Sequence, residues 1–317
     1  MGLKILATGK AVPKNIVTNQ QLCSFLDTSD EWITSRTGIK SRYITSEETL
    51  TDLSVNAAKQ ALVKSTLTVS DIDLIICSTT CGDYVFPSLA CCVAERLESS
   101  CPAFDINSAC SGFMYALDIA DGYISSGKAK NILIICAEMM SKLVDWTDRS
   151  TCVLFGDGSA ACIVTAGSAL KYLHLTATGN TTVLNLPIGG GNNPFKEKTQ
   201  TGYAYMQGQE VFKFAVSMAE SESKLALNTL HMTTDDIDYF VLHQANKRII
   251  ESTRTRMKQP VEKFPINIER YGNISSVSVP LLLDEMLEEG KIKKGTRLLL
   301  TAFGAGLTTG TCVMIWE

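Results

Sequence analysis

One strand-and-helix pattern occurs twice in this chain, and the repetition constrains the fold more than any single motif. Asp71-Ile72-Asp73-Leu74-Ile75-Ile76-Cys77 is echoed by Asp236-Ile237-Asp238-Tyr239-Phe240-Val241-Leu242. Each is an acidic turn running into a continuous apolar stretch, as in a strand buried on both faces. Helical patterns follow both, over residues 88–97 and 246–257. A second echo pairs two helices. One ends near Ser126-Gly127-Lys128 and feeds a strand at 131–136; the other ends near Glu289-Gly290-Lys291 and feeds a strand at 297–301. A third pairs Gly158-Ser159-Ala160-Ala161-Cys162-Ile163-Val164 with Gly310-Thr311-Cys312-Val313-Met314-Ile315. Strands alternating with helices predict an α/β chain with buried mixed sheets. The repetition predicts two similar halves, residues 1–167 and 168–317, about a pseudo-twofold axis. Equivalent helix starts then meet between the halves, where a pocket can form. Aligning Gly127 with Gly290 sets Cys110 opposite Asn273.

Cys110 lies in Phe104-Asp105-Ile106-Asn107-Ser108-Ala109-Cys110-Ser111-Gly112-Phe113, where a strand-like approach enters a cluster of small residues. Phe113, Ala116, Leu117, Ala120 and Ile124 then recur at helical spacing. The first turn of a helix has unpaired N–H groups and a partial positive charge. Both favour the thiolate, the nucleophilic form of cysteine. The small neighbours let a carbonyl group approach the sulfur. A free cysteine also packs as a small hydrophobe, and the chain has eleven, so Cys110 needs partners to count as a site.

Two partners come from the second half. His243 opens the polar cluster His243-Gln244-Ala245-Asn246 at the end of a predicted buried strand, which suits a site at the carboxyl end of a sheet. Asn273 lies in Tyr271-Gly272-Asn273-Ile274-Ser275-Ser276, a loop entering a helix, where asparagine also serves as an N-cap.

Composition narrows the rest. A net charge of -4 gives no reason to expect nucleic-acid binding. Cys77 and Cys81, adjacent Cys91 and Cys92, and the scattered His174, His231 and His243 form no zinc pattern, so no metal is expected. Gly304-Ala305-Gly306 lacks the third glycine of a dinucleotide loop. Eleven cysteines without a secretory signal point to a reducing, cytoplasmic compartment, and no apolar run is long enough to span a bilayer.

Taken together, these residues resemble the β-ketoacyl-acyl carrier protein synthase III family, the initiating condensing enzymes of fatty-acid synthesis. The likeness covers nearly the whole chain. It runs through Asp30-Glu31-Trp32-Ile33 with Arg36-Thr37-Gly38-Ile39, the Cys110 segment, Phe155-Gly156-Asp157-Gly158, Gly208 to Phe212, His243 to Asn246, Gly272-Asn273 and Phe303-Gly304. The resemblance implies a thiolase-like fold with αβαβα layers and a Cys110–His243–Asn273 triad. Cys110 would take an acyl group from acyl-CoA. Backbone N–H groups of Cys110 and the turn around Ala305 would hold the oxyanion. His243 and Asn273 would then stabilise the enolate formed as malonyl-acyl carrier protein loses carbon dioxide. No metal or organic cofactor is implied.

Trp32 and Arg36 are four apart, on one face of a short helix, and could sandwich an adenine. A half-buried tryptophan covering the core has the same pattern. The resemblance adds Arg149 and Thr28 to the CoA nucleotide site, and Asn246 and Gly208 to the pantetheine channel. Lys247, Arg248, Arg254, Arg256 and Lys258 share a helix whose one acid is Glu251. With Lys213 they could hold an acidic carrier protein, Arg248 and Arg256 foremost. The phenylalanine matching Phe86 caps the partner's acyl pocket in the family, which implies a homodimer.

The chain also departs from the family. Ala305 replaces the middle glycine of its turn, and Gly306-Leu307-Thr308-Thr309-Gly310 lacks the usual aromatics. Residues 184–203, with Gly189-Gly190-Gly191-Asn192-Asn193, are expected to help wall the acyl channel. Methyl, branched and longer starter groups all stay open. So do a secondary-metabolite condensing enzyme using a non-carrier acceptor and a thiol hydrolase. Retention of Cys110, His243 and Asn273 together argues against a non-catalytic dimer partner.

Overall fold

In the strand Asn131–Met139, Ile132, Ile134 and Cys136 face one side and Leu133, Ile135 and Ala137 the other, and all six are at most 1% exposed. A strand buried on both faces needs a covering layer on each side. The computed structural model, which describes residues 2–189, 194–195, 199 and 202–317, supplies both. This strand is central in a five-stranded sheet of order Gly2–Ala11, Asp157–Gly167, Asn131–Met139, Leu74–Ser78 and Ala103–Ile106. The last three run parallel, and the first two pair antiparallel to their neighbours. Helices Leu50–Ser65 and Leu89–Arg96 cover the outer face. Helix Gly112–Ser125 covers the inner face and packs on several sides, which is why its sequence is apolar beyond a single stripe.

The second sheet has order Tyr239–Leu242, Arg297–Gly304, Gly306–Ile315 and Leu170–Asn180. Its pairings are parallel, antiparallel and antiparallel, the sequence seen from Leu74–Ser78 to Gly2–Ala11 in the first sheet. Helices Gly208–Thr229 and Lys247–Met257 lie outside it, and helix Ser278–Glu288 lies inside. The two inner helices and the inner faces of both sheets share one core, from Leu3 and Ile134 through Leu117 and Leu283 to Leu300 and Cys312. The layering is therefore αβαβα. Asp284, fully buried on the second inner helix, ties the layers by accepting from Thr8 Oγ1 (2.6 Å), Lys64 Nζ (2.7 Å) and Lys10 Nζ (2.8 Å). Among the described residues no helix is long and apolar enough to cross a membrane.

One detail of the repeat differs from the alignment on Gly127 and Gly290. Both inner helices open with a 3₁₀ turn whose first residue is left-handed, Ala109 (φ 46°) in one and Ser275 (φ 47°) in the other. By backbone, Cys110 therefore matches Ser276, not Asn273. The helix Gly112–Ser125 has 14 residues and Ser278–Glu288 has 11, so the second has lost about one turn. The glycines align the helix ends and misalign the starts.

Candidate active site

Cys110 sits in the 3₁₀ turn Ala109–Ser111, directly before the inner helix. Its backbone N–H lies against Gly304, where a Cβ would come within 2.7 Å of the nitrogen. Only glycine allows that approach. Gly304 ends one strand, Ala305 turns the hairpin, and Gly306 begins the next. Thr308 sews this hairpin to the cysteine loop: its Oγ1 is 2.6 Å from Ser111 Oγ, 3.0 Å from the Ala305 carbonyl and 3.3 Å from that of Ser108. Thr308, one of the positions without the family's usual aromatics, thus has a structural partner that local sequence does not reveal. The thiol itself departs from the expected thiolate. Burial pushes it up to about 12, the Glu138 carboxylate adds to the rise, and the Ser275 hydroxyl opposes it. Desolvation of a whole charge outweighs the partial charge of a helix end.

His243 follows strand Tyr239–Leu242, and its N–H donates to the Thr301 carbonyl at 2.8 Å. The ring meets Phe303 edge-on with centroids 5.3 Å apart. It is 1% exposed, and burial takes its pKa down to about 3, so the imidazole is neutral. Nδ1 is buried without a hydrogen-bond partner among the described residues.

Asn273 is pinned at three points. Its N–H donates to the Leu154 carbonyl (2.8 Å), its carbonyl accepts from Gly156 (3.1 Å), and its Oδ1 accepts from the Ser275 N–H (2.8 Å). The last bond fixes the carboxamide and leaves Nδ2 without a partner among the described residues. The side chain thus makes an Asx turn onto the first residue of the 3₁₀ turn Ser275–Val277 and does not cap the helix proper. Gly272 (φ 67°) makes the turn into Asn273 possible, and a Cβ there would meet the Leu154 carbonyl at 2.9 Å. The Phe303–Gly304 pair touches both the His243 ring and the Cys110 backbone, and Ser275, bonded to Asn273, belongs to a turn packed against the turn of Cys110. The three side chains border one junction between the sheets.

The CoA candidates lie around helix Asp30–Thr37, capped by Ser29 on the Trp32 N–H at 3.0 Å. Trp32 and Arg36 share a face as expected, but they are not spaced to flank a base. Arg36 Cζ lies 4.9 Å from the Trp32 ring centroid and Arg149 Cζ 5.2 Å, because a cation is drawn to the ring itself. Arg149 also donates to the Asp27 carbonyl. Thr28 Oγ1 is buried without a hydrogen-bond partner among the described residues. Asn246 is the N-cap of helix Lys247–Met257, its Oδ1 accepting from Arg248 N at 2.9 Å and its Nδ2 donating to the Arg36 carbonyl at 3.1 Å. Gly208, exposed, starts helix Gly208–Thr229.

The basic residues are less free than their charge suggests, because acids on their own helices and on neighbouring elements pair with them. Arg256 pairs with Glu220 (3.1 Å), Lys247 with Glu269 (2.9 Å), Arg254 with Glu251 (2.9 Å) and Lys213 with Glu210 (2.9 Å). Arg248 has no carboxylate partner among the described residues. Its guanidinium lies 5.6 Å from the Phe212 ring and lines a groove of about 590 Å³ with Thr34, Gly38 and Glu251. On another face Tyr84, Val85 and Phe86 are exposed, Phe86 by 85%, beside a cavity of about 410 Å³ lined by Thr80, Cys81 and Asp105. Of the glycine-rich stretch, Gly190, Gly191, Asn192 and Asn193 lie outside the described residues.

Comparison with known proteins agrees with this architecture. Residues 104–179 match the family of 3-oxoacyl-[acyl-carrier-protein (ACP)] synthase III, and residues 227–316 match its C-terminal family. A β-ketoacyl-[acyl-carrier-protein] synthase III from Aquifex aeolicus is 44% identical over 315 residues, 99% of each chain. One from Natranaerobius thermophilus is 46% identical over 326 residues, again 99% of each chain. The crystal structure of 3-oxoacyl-[acyl-carrier-protein] synthase III from Aquifex aeolicus VF5 superposes with a TM-score of 0.93, covering 99% of this chain and 100% of that one. The priming β-ketosynthase of the R1128 polyketide pathway does so at 0.94 with 31% identity, covering 100% of this chain and 96% of that one. With this fold and this likeness along its whole length, the chain belongs to the β-ketoacyl-[acyl-carrier-protein] synthase III family.

Proposed function

We propose that the chain initiates fatty-acid synthesis by condensing an acyl-CoA starter with malonyl-acyl carrier protein in a decarboxylative Claisen reaction, the two halves dividing near Gly167. Cys110 attacks the acyl thioester and keeps the acyl group, while CoA leaves as its thiol with the cysteine's proton. Malonyl-acyl carrier protein then enters. The neutral His243 and the Asn273 Nδ2 donate to its thioester oxygen as carbon dioxide departs, stabilising the enolate. The enolate carbon attacks the acyl-Cys110 carbonyl, the carbon–sulfur bond breaks to release 3-ketoacyl-acyl carrier protein, and the expelled thiolate takes a proton from solvent. The Cys110 N–H and the hairpin at Ala305 hold the oxyanion. These steps use only side-chain and backbone groups, with no metal or organic cofactor.

What supports this reading is that Cys110, the His243 ring and the Asn273 carboxamide border one junction between the sheets, with His243 Nδ1 unpaired among the described residues. Trp32, Arg36, Arg149 and Thr28 would bind the CoA nucleotide, with a guanidinium moving off the Trp32 ring to admit the base. Gly208 and Asn246 would line the pantetheine path. Arg248 would receive the carrier protein, with Lys213 and Arg256 in lesser roles because carboxylates already hold them. A homodimer suits the exposed Tyr84-Val85-Phe86 loop beside the open edge strand Ala103–Ile106, since an exposed edge invites pairing. Eleven free cysteines suit a reducing cytoplasm. The reading with a non-carrier acceptor is not favoured, because relatives at 44% and 46% identity are named for the carrier protein.

Intact mass after mixing with a panel of acyl-CoAs tests the reading. The expected result is one acyl group per chain, absent in Cys110→Ala, with the favoured chain length read from the same spectra. Acylation of Cys110→Ala overturns it.

A further inference from the structure

Glu138 is a fully buried carboxylate that the steps above do not use. It stands at the end of the central strand Asn131–Met139 and binds two distant parts of the chain. Its Oε2 accepts from the Thr80 N–H (3.0 Å), Thr80 Oγ1 (2.7 Å) and Cys81 Sγ (3.5 Å). Its Oε1 accepts from Ser275 Oγ (3.0 Å) and Ser276 Oγ (3.1 Å). Among the described residues no lysine, arginine or histidine pairs with it, and the ionisable groups around it are the thiols of Cys81, Cys110 and Cys136. A buried acid held by one N–H, hydroxyls and a thiol, with no cation paired to it among the described residues, is costly, so the fold retains it for what it holds.

What it holds is the turn after Asn273. Ser275 is left-handed at φ 47°, a state that L side chains adopt reluctantly. Its hydroxyl is tied to Glu138 and its N–H to Asn273 Oδ1, so one residue transmits the position of the carboxylate to the carboxamide. The turn Ser275–Val277 packs against the turn Ala109–Ser111 that carries Cys110, and the Ser275 hydroxyl opposes the rise of the thiol's pKa. We propose that Glu138 is a positioning residue that sets the Asn273 carboxamide against Cys110 through Ser275. This rests on the reading of Cys110 as the acylated thiol and Asn273 as an enolate donor.

Two variants separate the tether from the charge. Ser275→Ala removes the hydroxyl and keeps the N–H bond to Asn273. Glu138→Gln keeps hydrogen-bonding capacity on both sides, since its oxygen can accept from Thr80 and its amide can donate to the serine hydroxyls, but it removes the charge. With Ser275→Ala, carbon dioxide release from malonyl-acyl carrier protein is expected to fall about tenfold, while Cys110 acylation from acetyl-CoA stays within about threefold. Alkylation of Cys110 by iodoacetamide across pH supplies a readout that mere scaffolding would not move. Its midpoint should fall in Glu138→Gln, where a like charge has gone, and rise in Ser275→Ala, where a donor has gone. Wild-type decarboxylation in Ser275→Ala, or a midpoint that stays or rises in Glu138→Gln, overturns the proposal while wild-type Cys110 still becomes acylated. A wild-type Cys110 that takes no acyl group overturns the underlying reading with it. If Glu138→Gln does not fold, the Ser275→Ala split and its upward midpoint decide alone.

Discussion

Thr308 Oγ1 lies 2.6 Å from Ser111 Oγ, so a hydroxyl pair joins the C-terminal hairpin to the loop that carries Cys110. The two residues are far apart in the chain, and they bring the Ala305 turn and the cysteine's N–H into one structure. Thr308→Val keeps the shape and removes the bond. The Ser111 hydroxyl retains its bond to the Ser108 carbonyl at 2.8 Å, so the expected stability loss is modest, about 1 kcal/mol. Acylation should suffer more than stability, by about tenfold, because oxyanion donors act only when held in place. Thermal melting beside the rate of mass gain from acetyl-CoA checks this. A melting loss with an unchanged acylation rate would make Thr308 purely structural.

The neutral state of His243 has a cost in acid. Its folded pKa is taken by burial down to about 3, from an ordinary value near 6.5. Between those values the unfolded chain binds a proton that the folded chain refuses, so this histidine destabilises the fold as pH falls below about 6.5. At pH 5 the penalty is about 2 kcal/mol relative to pH 7.5. His243→Gln should remove it, losing less stability between those pH values than wild type. Urea midpoints at both pH values measure the difference. An equal loss in both proteins would show that His243 titrates normally.

The strands and inner helices were legible because burial on both faces leaves unbroken apolar runs, as in Leu74–Ser78, and burial of most of a helix leaves few polar positions, as in Gly112–Ser125. Cys110, His243 and Asn273 were legible because polar residues broke those runs at strand and helix ends. Ser275, Thr308 and Glu138 were not, since each owes its place to a partner on another element. The ion pairs of Arg256 and Lys247 were hidden for the same reason, their acids lying outside the helix. The thiol of Cys110 was misjudged because local sequence carries the helix end and not the depth of burial.

Arg248 should be separable from Arg256 in carrier-protein binding. Both belong to helix Lys247–Met257, but Glu220 holds Arg256 while Arg248 faces the groove without a carboxylate partner among the described residues. A rim charge acts through complementarity with its partner. Arg248→Glu should raise KM for malonyl-acyl carrier protein about tenfold or more, leave KM for acetyl-CoA within about threefold, and weaken with added salt. Arg256→Glu should do less. Equal losses on both substrates would move Arg248 from a carrier-protein contact to the nucleotide site.

Asp284 gives an acid dependence of the opposite origin. Burial alone would raise its pKa, but the bonds from Lys10, Lys64 and Thr8 prevail and hold it below the usual carboxylate range. A depressed folded pKa contributes stability that is present above the unfolded value, near 3.9, and is lost as pH falls through the folded one. Asp284→Asn keeps an acceptor for Thr8 and leaves Lys10 and Lys64 with Glu288 alone. The expected loss at pH 7 is about 1–3 kcal/mol, reduced from a fully buried pair because both lysines are partly exposed to water. The gap between variant and wild type should narrow as pH falls below the unfolded value, where wild type begins to lose the same interaction. Melting curves from pH 7 to pH 3 measure that gap, and a gap that stays constant would mean the asparagine costs packing rather than charge.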